Sequence, residues 1–519
     1  MIKLKNKTFT GDNCPKSTIR VFEGISLFKE ALFQFNSFFM LQYVQLGSPI
    51  SQSENFTRLF FVISMVLIFA KLMSGFWWSI ASHILETCKF KYGRYRSMTF
   101  IGAVLSTFFS LMTFFVAPLF GSGWGYVIAF LVFYTCSECV FSFNDIAYWS
   151  YINKMSYDAQ KRSKIVGITN LISSLGSYAV TALSPAISAG NAKTNMTILL
   201  IVILSCYFVT QMAYCYILVE RAEEPEFSMK TNKGSIFDPI RIMFTDKQVF
   251  LVMIAFFLMF LSQDLIAGNT SSYFYYEYGY GGFSAAGVDG GMSGGVVSFI
   301  FSLCFGIAVC VSSYIYPYIT KALGKKKTIL IFLVAIVILY FLMFFFAMTR
   351  GREIMLFIVT ALLGFSHGMV LMTCSVNVVN VAEYYQAKTG EERSASMQAG
   401  KALMVKTANG VQTGLFYMFL ALSPNLLDIN KKVANLEALN NRGLLEGNIT
   451  TQVNDYIQSF TGIENSLTIY RSSLTLLPII LMIAAVIVTC FVYVTSEKKY
   501  AEYVEIVKSK KNSNVSDAE

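Results

Sequence analysis

Several charged residues of this sequence lie inside long apolar segments. On insertion scales, an ionised side chain at the centre of a bilayer costs about 2.5–3.5 kcal/mol, so it needs a partner or a water-filled cavity. Such residues therefore mark candidate binding sites or ion pathways. They are Lys29, Glu30, Lys71, Glu138, Asp145, Asp264, Lys401 and Lys406.

The fourth apolar segment carries the most informative set. Glu138, Asp145 and Trp149 are spaced seven and four residues apart, so they share one helix face. Carboxylates accept hydrogen bonds from sugar hydroxyls, and an aromatic ring packs on the C–H face of a pyranose. This face predicts a polar, uncharged, ring-shaped ligand. The alternative is a structural ion pair of Asp145 with Lys71 or Lys406, with Trp149 as an interfacial anchor.

Polar stripes also mark the first and eleventh segments. Their members are Glu30, Gln34 and Ser37 on the first, and Lys406, Asn409 and Thr413 on the eleventh. Lys29 points away from the first stripe and is expected to extend to the membrane interface. Asp264 and Asn269 of the seventh segment indicate either a functional contact or a hydrogen bond between helices.

The composition restricts the class of protein. Of 519 residues, 55% are hydrophobic and only 14% are charged, whereas an ordinary soluble domain has about 25% charged residues. This excludes a soluble enzyme, a disordered chain and a secreted domain. No catalytic triad, Walker loop or zincin helix appears, and the two histidines lie far apart, so we expect no enzyme, cofactor or metal site. The net charge of +10 indicates basic loops and not a nucleic-acid partner.

Twelve apolar segments are long enough to be membrane-spanning helices. Their loops on one side, together with both termini, hold 29 Lys and Arg residues, against 7 on the other side. Both termini are therefore expected in the cytoplasm. A flexible, glycine-rich loop at Gly279–Gly295 and a small cap at 423–467 are expected outside. The predicted spans are 24–47, 57–84, 99–119, 123–152, 164–188, 196–219, 249–275, 296–322, 328–348, 354–382, 397–423 and 470–494.

The chain contains a weak internal repeat. Gly93 and Gly324, in the basic loops after the second and eighth segments, are 231 residues apart. Arg162 and Arg393 show the same separation of 231 residues. A shared offset predicts two six-helix halves in parallel orientation, although a chance match of basic loops is the alternative. The expected divisions are a first bundle at 1–219, a cytoplasmic linker at 220–248, a second bundle at 249–494 and a cytoplasmic tail at 495–519.

Two motifs resemble a known family. The first is Asp-Ile-Ala-Tyr-Trp-Ser at 145–150, followed by Asp158 and Lys161-Arg162. The second is Ala-Glu-Tyr-Tyr at 382–385, followed by Lys-Thr-Gly at 388–390 and Arg393. Together with the loop Lys91 to Arg96, they resemble the glycoside–pentoside–hexuronide:cation symporters, the family of melibiose permease, within the major facilitator superfamily.

The resemblance implies an all-α membrane protein with twelve helices in two six-helix bundles and a secondary transporter of sugars or glycosides. Glu30, Asp145 and Trp149 match the family's sugar-binding residues, and Lys406 matches a helix-11 lysine near the site. We expect a monomer in the cell membrane, in which Lys71 and Lys406 balance these carboxylates when the site is empty. A sensor on a transporter scaffold and a carrier of amphipathic lipids remain alternatives.

The sequence departs from the family at the cation site. The two helix-2 aspartates that bind the family's coupling cation fall on Ser74 and Trp78, and a helix-4 threonine near the cation becomes Ser142. Sodium coupling, proton coupling through Glu138, Asp145 or Glu30, and uniport all stay open.

Overall fold

The computed structural model describes residues 8–9, 14–88, 90–155, 159–221, 237–389, 394–423, 425–492 and 502. Most of the predicted linker, and the predicted tail apart from residue 502, lie outside the described residues. Within the described ranges, twelve long helical segments follow one another, which confirms the predicted helix number.

The first six helices form the first bundle. Helix α1 is Lys16–Gln34, continued by a π-helical turn at Phe35–Phe39 and by Met40–Leu46. The others are α2 (Phe56–Thr87), α3 (Arg94–Leu111, continued by turns to Phe120), α4 (Trp124–Met155), α5 (Ala159–Ser188) and α6 (Ala192–Ile217).

The last six helices form the second bundle. They are α7 (Lys247–Glu277), α8 (Gly294–Leu323), α9 (Lys325–Leu342, continued by a turn to Ala347), α10 (Glu353–Thr389), α11 (Ser394–Leu422) and α12 (Ile463–Phe491). Among the described residues, ten helices are long and apolar enough to cross a membrane. The two outside this set are α1 and α11, which carry Lys29, Glu30, Lys401 and Lys406.

The helices pack mainly within their own bundle. In the first bundle α1 packs on α5 and α6, and α4 packs on α2 and α3; in the second, α7 packs on α11 and α12, and α10 packs on α8 and α9. The bundles meet where α2 packs on α11 and α5 packs on α8. Helix α2 corresponds to α8 in the second bundle, and α11 corresponds to α5 in the first. The α2–α11 and α5–α8 contacts are therefore equivalent, as expected for parallel repeats.

The repeated glycines occupy equivalent positions. Gly93 precedes α3 with a φ of 100°, and Gly324 precedes α9 with a φ of 80°. Both values lie in the left-handed region, which glycine adopts without steric penalty. The offset in the sequence therefore corresponds to one backbone conformation used twice. Gly390 and Arg393 of the second family motif, and Asp158 of the first, lie outside the described residues.

Some predicted boundaries were wrong. Helix α1 begins eight residues earlier than predicted, and α10 extends to Thr389 instead of 382. The glycine-rich segment is not a free loop: the backbone N–H of Phe283 donates to Ala186 O at 3.2 Å, and a side chain on Gly282 would collide with Ala186 at the end of α5. Here the glycines permit close approach of the two bundles.

The loop between α11 and α12 forms the predicted cap. It contains the helices Leu426–Asn441, which we call the cap helix, and Ile449–Gln458. Glu437 of the cap helix is fully buried and accepts backbone N–H groups of Gly190 at 2.6 Å and Ala192 at 3.1 Å. Tyr280 of the second bundle donates to the same carboxyl. The cap helix thus joins the two bundles at one end of the molecule, the cap side.

Replacing Glu437 with alanine should destabilise the protein. The change leaves two buried backbone N–H groups and the Tyr280 hydroxyl without an acceptor, which costs about 1–3 kcal/mol for each unsatisfied group. We expect a lower midpoint of thermal unfolding in detergent. The control is Glu446→Ala, because Glu446 is exposed on the same loop. Equal midpoints for the two variants would contradict this role of Glu437.

Candidate functional site

The buried charges form two clusters at the interface between the bundles. The Asp145 cluster consists of Lys29, Glu30 and Asp145, with Trp78 hydrogen-bonded to it. The Glu138 triad consists of Lys71, Glu138 and Lys406. The α4 face predicted from the spacing of Glu138, Asp145 and Trp149 is therefore divided between the two clusters. Asp145 binds Lys29, whereas Glu138 binds Lys71 and Lys406.

Lys29 is the centre of the Asp145 cluster. Its Nζ lies 2.6 Å from Asp145 Oδ1 and 2.8 Å from Glu30 Oε1, and the Trp78 indole donates to Asp145 Oδ2 at 3.0 Å. The expectation that Lys29 extends to the interface was wrong, since its side chain is buried. The two carboxylates compensate the ammonium group for its loss of hydration, so it can remain buried.

The cluster keeps an edge open to solvent. The side chains of Glu30 and Asp145 are 17% and 15% exposed, although their shared partner Lys29 is only 1% exposed. The Trp149 ring lies 5.3 Å from Lys29 Nζ and is partly exposed. The structure thus brings together three of the residues predicted from the sequence: two carboxylates and an aromatic face.

The Glu138 triad lies deeper. Lys71 Nζ from α2 is 3.0 Å from Glu138 Oε1, and Lys406 Nζ from α11 is 3.1 Å from Oε2, with Glu138 only 2% exposed. The expectation that Lys71 and Lys406 balance Asp145 and Glu30 was therefore wrong, as was the alternative of an ion pair with Asp145. Two lysines from different bundles share one carboxylate, and the Phe33 ring lies 4.5 Å from Lys406 Nζ.

Ser74 and Ser142 stand where the family resemblance places residues that bind or flank a cation. Ser74 Oγ lies 3.2 Å from Ser142 Oγ and donates to the Glu138 carbonyl oxygen at 3.0 Å. These contacts join α2 to α4. In the described part of the chain, no group of three or more His, Cys, Asp or Glu residues is placed to hold a metal ion.

Hydrogen bonds extend from the triad to a carboxyl of the second bundle. Lys71 Nζ donates to Ser37 Oγ at 3.3 Å, and Ser37 Oγ donates to Asn409 Oδ1 at 3.4 Å. Asn409 Nδ2 in turn donates to Asp264 Oδ2. The sequence indicated polarity at these positions but not their connection, which depends on four helices meeting at one depth.

Two further residues lie near the Asp145 cluster, although the sequence did not connect them with it. Trp78 appeared only as a replacement for an aspartate, yet it orients Asp145. Lys401 of α11 is half-buried, lies within electrostatic reach of Asp145 and Glu30, and has no ion pair or hydrogen bond among the described residues. The signal for Lys401 was its charge in an apolar segment.

The two ends of the bundle interface differ. On the cap side, Tyr275 of α7 donates to the Pro185 carbonyl oxygen of α5 at 2.5 Å and lies 3.4 Å from Gln42 Nε2 of α1. These contacts and the cap helix close that end. The partly exposed carboxylates of the Asp145 cluster lie toward the opposite end, which carries the start of α1 and the end of α12.

Comparison with known proteins gives a consistent result. The family described as "MFS/sugar transport protein" matches residues 60–496. The lactose permease of Leuconostoc lactis is 21% identical over 394 residues, which is 71% of this chain. The match spans only 56% of that relative's length.

Solved structures share the fold. A D-xylose-proton symporter superposes with a TM-score of 0.54 at 15% identity, covering 84% of this chain and 99% of the other. A bacterial homologue of the human lysosomal transporter Spinster, in an inward-facing and unoccupied conformation, gives 0.55 at 10% identity, covering 94% and 98%. At these identities the likeness concerns the fold, which is the major facilitator fold predicted above. Together with the family match over most of its length, this establishes that the chain belongs to the MFS/sugar transport protein family.

Proposed function

We propose that this protein is a secondary active transporter that moves a sugar or glycoside across the cell membrane by alternating access between its two bundles. The observation that carries the proposal is the Asp145 cluster. Its two carboxylates retain solvent exposure beside the Trp149 ring, at the interface where the bundles must separate. Carboxylates and a neighbouring aromatic face are suited to the hydroxyls and the C–H face of a sugar.

Each residue has a distinct role in this proposal. Glu30 and Asp145 accept hydroxyl hydrogen bonds, and Trp149 packs against the sugar ring. Lys29 holds the two carboxylates together while the site is empty. Lys406 contributes to the substrate site from the second bundle, through its ion pair with Glu138. Lys71, Glu138 and Ser142 maintain charge balance and the contact of α2 with α4.

The proposed orientation follows the distribution of basic residues. The end opposite the cap carries the basic loops, so we assign it and both termini to the cytoplasm. The conformation described above is then inward-facing: closed at the cap and accessible at the Asp145 cluster. We further propose a monomer with bundles at 1–219 and 249–494, a cytoplasmic linker at 220–248 and a cytoplasmic tail at 495–519.

A sensor built on a transporter scaffold is the second candidate. It is favoured by the serine and tryptophan side chains of Ser74 and Trp78, which stand where the family resemblance places cation-binding carboxylates. Counterflow of labelled sugar in proteoliposomes separates the candidates, because only a transporter exchanges sugar across the membrane.

A cyclic sugar should raise the thermal stability of the purified protein. Binding stabilises the folded state by mass action, by about 2.7 kcal/mol when the ligand is present at 100 times its dissociation constant. We would screen lactose, D-xylose and other pyranosides by thermal shift, with pH and sodium varied and sorbitol as an acyclic control. A response to sorbitol equal to that of every cyclic sugar would contradict a ring-recognising site.

Asp145→Asn should remove most of this sugar response. A hydrogen bond to a charged group contributes about 1.5–3 kcal/mol, which corresponds to roughly 10–100-fold in affinity. Fold is expected to persist, because Lys29 keeps its ion pair with Glu30 at 2.8 Å. The matched control is Glu446→Gln, an exposed acidic residue on the cap loop. Sugar binding that survives unchanged in Asp145→Asn would remove Asp145 from the site.

A further inference from the structure

We propose that Asp264 is the residue that takes up and releases the coupling proton, and that its charge is transmitted to the Glu138 triad through Asn409, Ser37 and Lys71. This deepens the proposed function, on which it rests for its role in transport. The binding of a proton at Asp264 is itself independent of which sugar is carried.

Asp264 differs from the carboxylates of the Asp145 cluster and the Glu138 triad. Glu30 and Asp145 share the ammonium of Lys29, and Glu138 holds two ammonium groups. Asp264 is 5% exposed, and among the described residues no Lys, Arg or His nitrogen lies within ion-pair distance of it. An ionised carboxylate without a cation in such surroundings is strongly disfavoured, so the group is neutral and carries a proton.

The hydrogen-bond pattern of Asp264 within the described part of the chain supports this state. Asn409 Nδ2 donates to Oδ2, which leaves Oδ1 available as the protonated oxygen. One neutral amide donor does not replace the several donors or the cation that a buried carboxylate needs. Asn409 therefore orients the Asp264 carboxyl but does not stabilise its ionised form enough to offset burial.

The charged and titratable neighbours of Asp264 come from several helices. Lys71 of α2 is the cation with which its carboxyl interacts electrostatically. Tyr178 of α5 faces α7 and binds the adjacent Gln263 at 3.2 Å. On another face, Ser262 contacts Tyr340 of α9, which in turn binds His367 of α10 at 3.1 Å. Lys406 of α11 is already occupied by Glu138.

A route for the proton lies beside the network. A small cavity toward the cap side is lined by polar side chains of α1, α7 and α11: Ser37, Gln42, Asn269, Ser272, Gln412 and Thr413. Ser37 also belongs to the hydrogen-bond chain, so the cavity and the chain adjoin. In the proposed step, Asp264–COOH to Asp264–COO⁻ plus H⁺, the released proton would pass to water that enters from this side.

The charge of Asp264 affects the contact between bundles. Asp264 belongs to the second bundle, whereas Lys71 and Glu138 belong to the first. Deprotonated Asp264 attracts Lys71 and competes with Glu138 for it; Lys406 then remains to neutralise Glu138. Protonated Asp264 leaves Lys71 with Glu138, as observed at 3.0 Å. The two charge states thus favour different bundle arrangements, which is the requirement for a coupling ion.

Infrared spectroscopy of purified protein tests the proton directly. A protonated carboxyl shows a carbonyl stretching band that shifts in deuterated water, and an ionised one does not. We expect this band at neutral pH in the wild type and its loss in Asp264→Asn, an isostere that can keep the Asn409 bond. Glu277→Gln, on the same helix but near its cap-side end, should retain it. A band unchanged in Asp264→Asn, or absent from the wild type, would overturn the proposal.

A second variant keeps the test informative if Asp264→Asn folds poorly. Asn409→Ala removes the donor to the carboxyl, so the band should move to higher frequency without disappearing. A band that stays at its wild-type frequency in this variant would assign it to another carboxyl and contradict the proposal.

Transport in proteoliposomes tests the coupling role. With labelled lactose and an imposed proton gradient, Asp264→Asn should reduce the accumulation ratio toward one, while counterflow falls by a much smaller factor. Equal losses of accumulation and counterflow would contradict coupling through Asp264. If the wild type carries no lactose, that result counts against this sugar, and the infrared band still decides the proton site.

Discussion

The ion pairs of Glu138 with Lys71 and Lys406 are the interaction on which the arrangement of the site depends. One carboxylate of α4 receives ammonium groups from α2 of its own bundle and from α11 of the other. Removing one partner of a buried ion pair costs about 3–5 kcal/mol, because the remaining charge is left without compensation. The triad therefore fixes the depth at which α2, α4 and α11 meet and places Asp145, two turns along α4, at the solvent-facing edge.

Lysine side chains supply the positive charge that faces the buried carboxylates of both clusters. Lys71 lies on α2 one turn from Ser74, where the family resemblance places a cation-binding carboxylate. The Lys71 ammonium group lies beside Glu138 and neutralises its carboxylate, a role that a free cation would otherwise have. A tethered cation cannot leave with the substrate, so it cannot serve as a coupling ion. A carboxyl without an ion-pair partner can instead change its protonation state. Asp264 is such a group in the described part of the chain.

The sequence predicted the architecture well because hydrophobic length and loop charge determine it. Twelve helices, the parallel repeat at Gly93 and Gly324 and the cap all appear in the structure. The helix ends were less accurate, since polar extensions such as the start of α1 have no apolar signal. The glycine-rich segment was misjudged because its close packing on α5 is a tertiary contact.

The site was predicted in part, and the limit is physical. Helical spacing put Asp145 and Trp149 on one face of α4, and the family resemblance brought Glu30 to the same site; the structure places all three around Lys29. Spacing could not identify the partners of the lysines, since a lysine side chain is long enough to reach across a helix face. Lys29 consequently turns back to bind Asp145 at 2.6 Å instead of extending to the interface.

The Asp145 cluster and the Glu138 triad can act together without sharing a ligand. Asp145 and Glu138 lie on one rigid helix, so a movement of α4 that follows a change at one carboxylate displaces the other. Lys406 connects this helix to the second bundle, and Asn409, one turn further along α11, connects it to Asp264. Sugar at the Asp145 cluster and a proton at Asp264 would then favour the same bundle arrangement, and each would increase the affinity for the other by an equal factor.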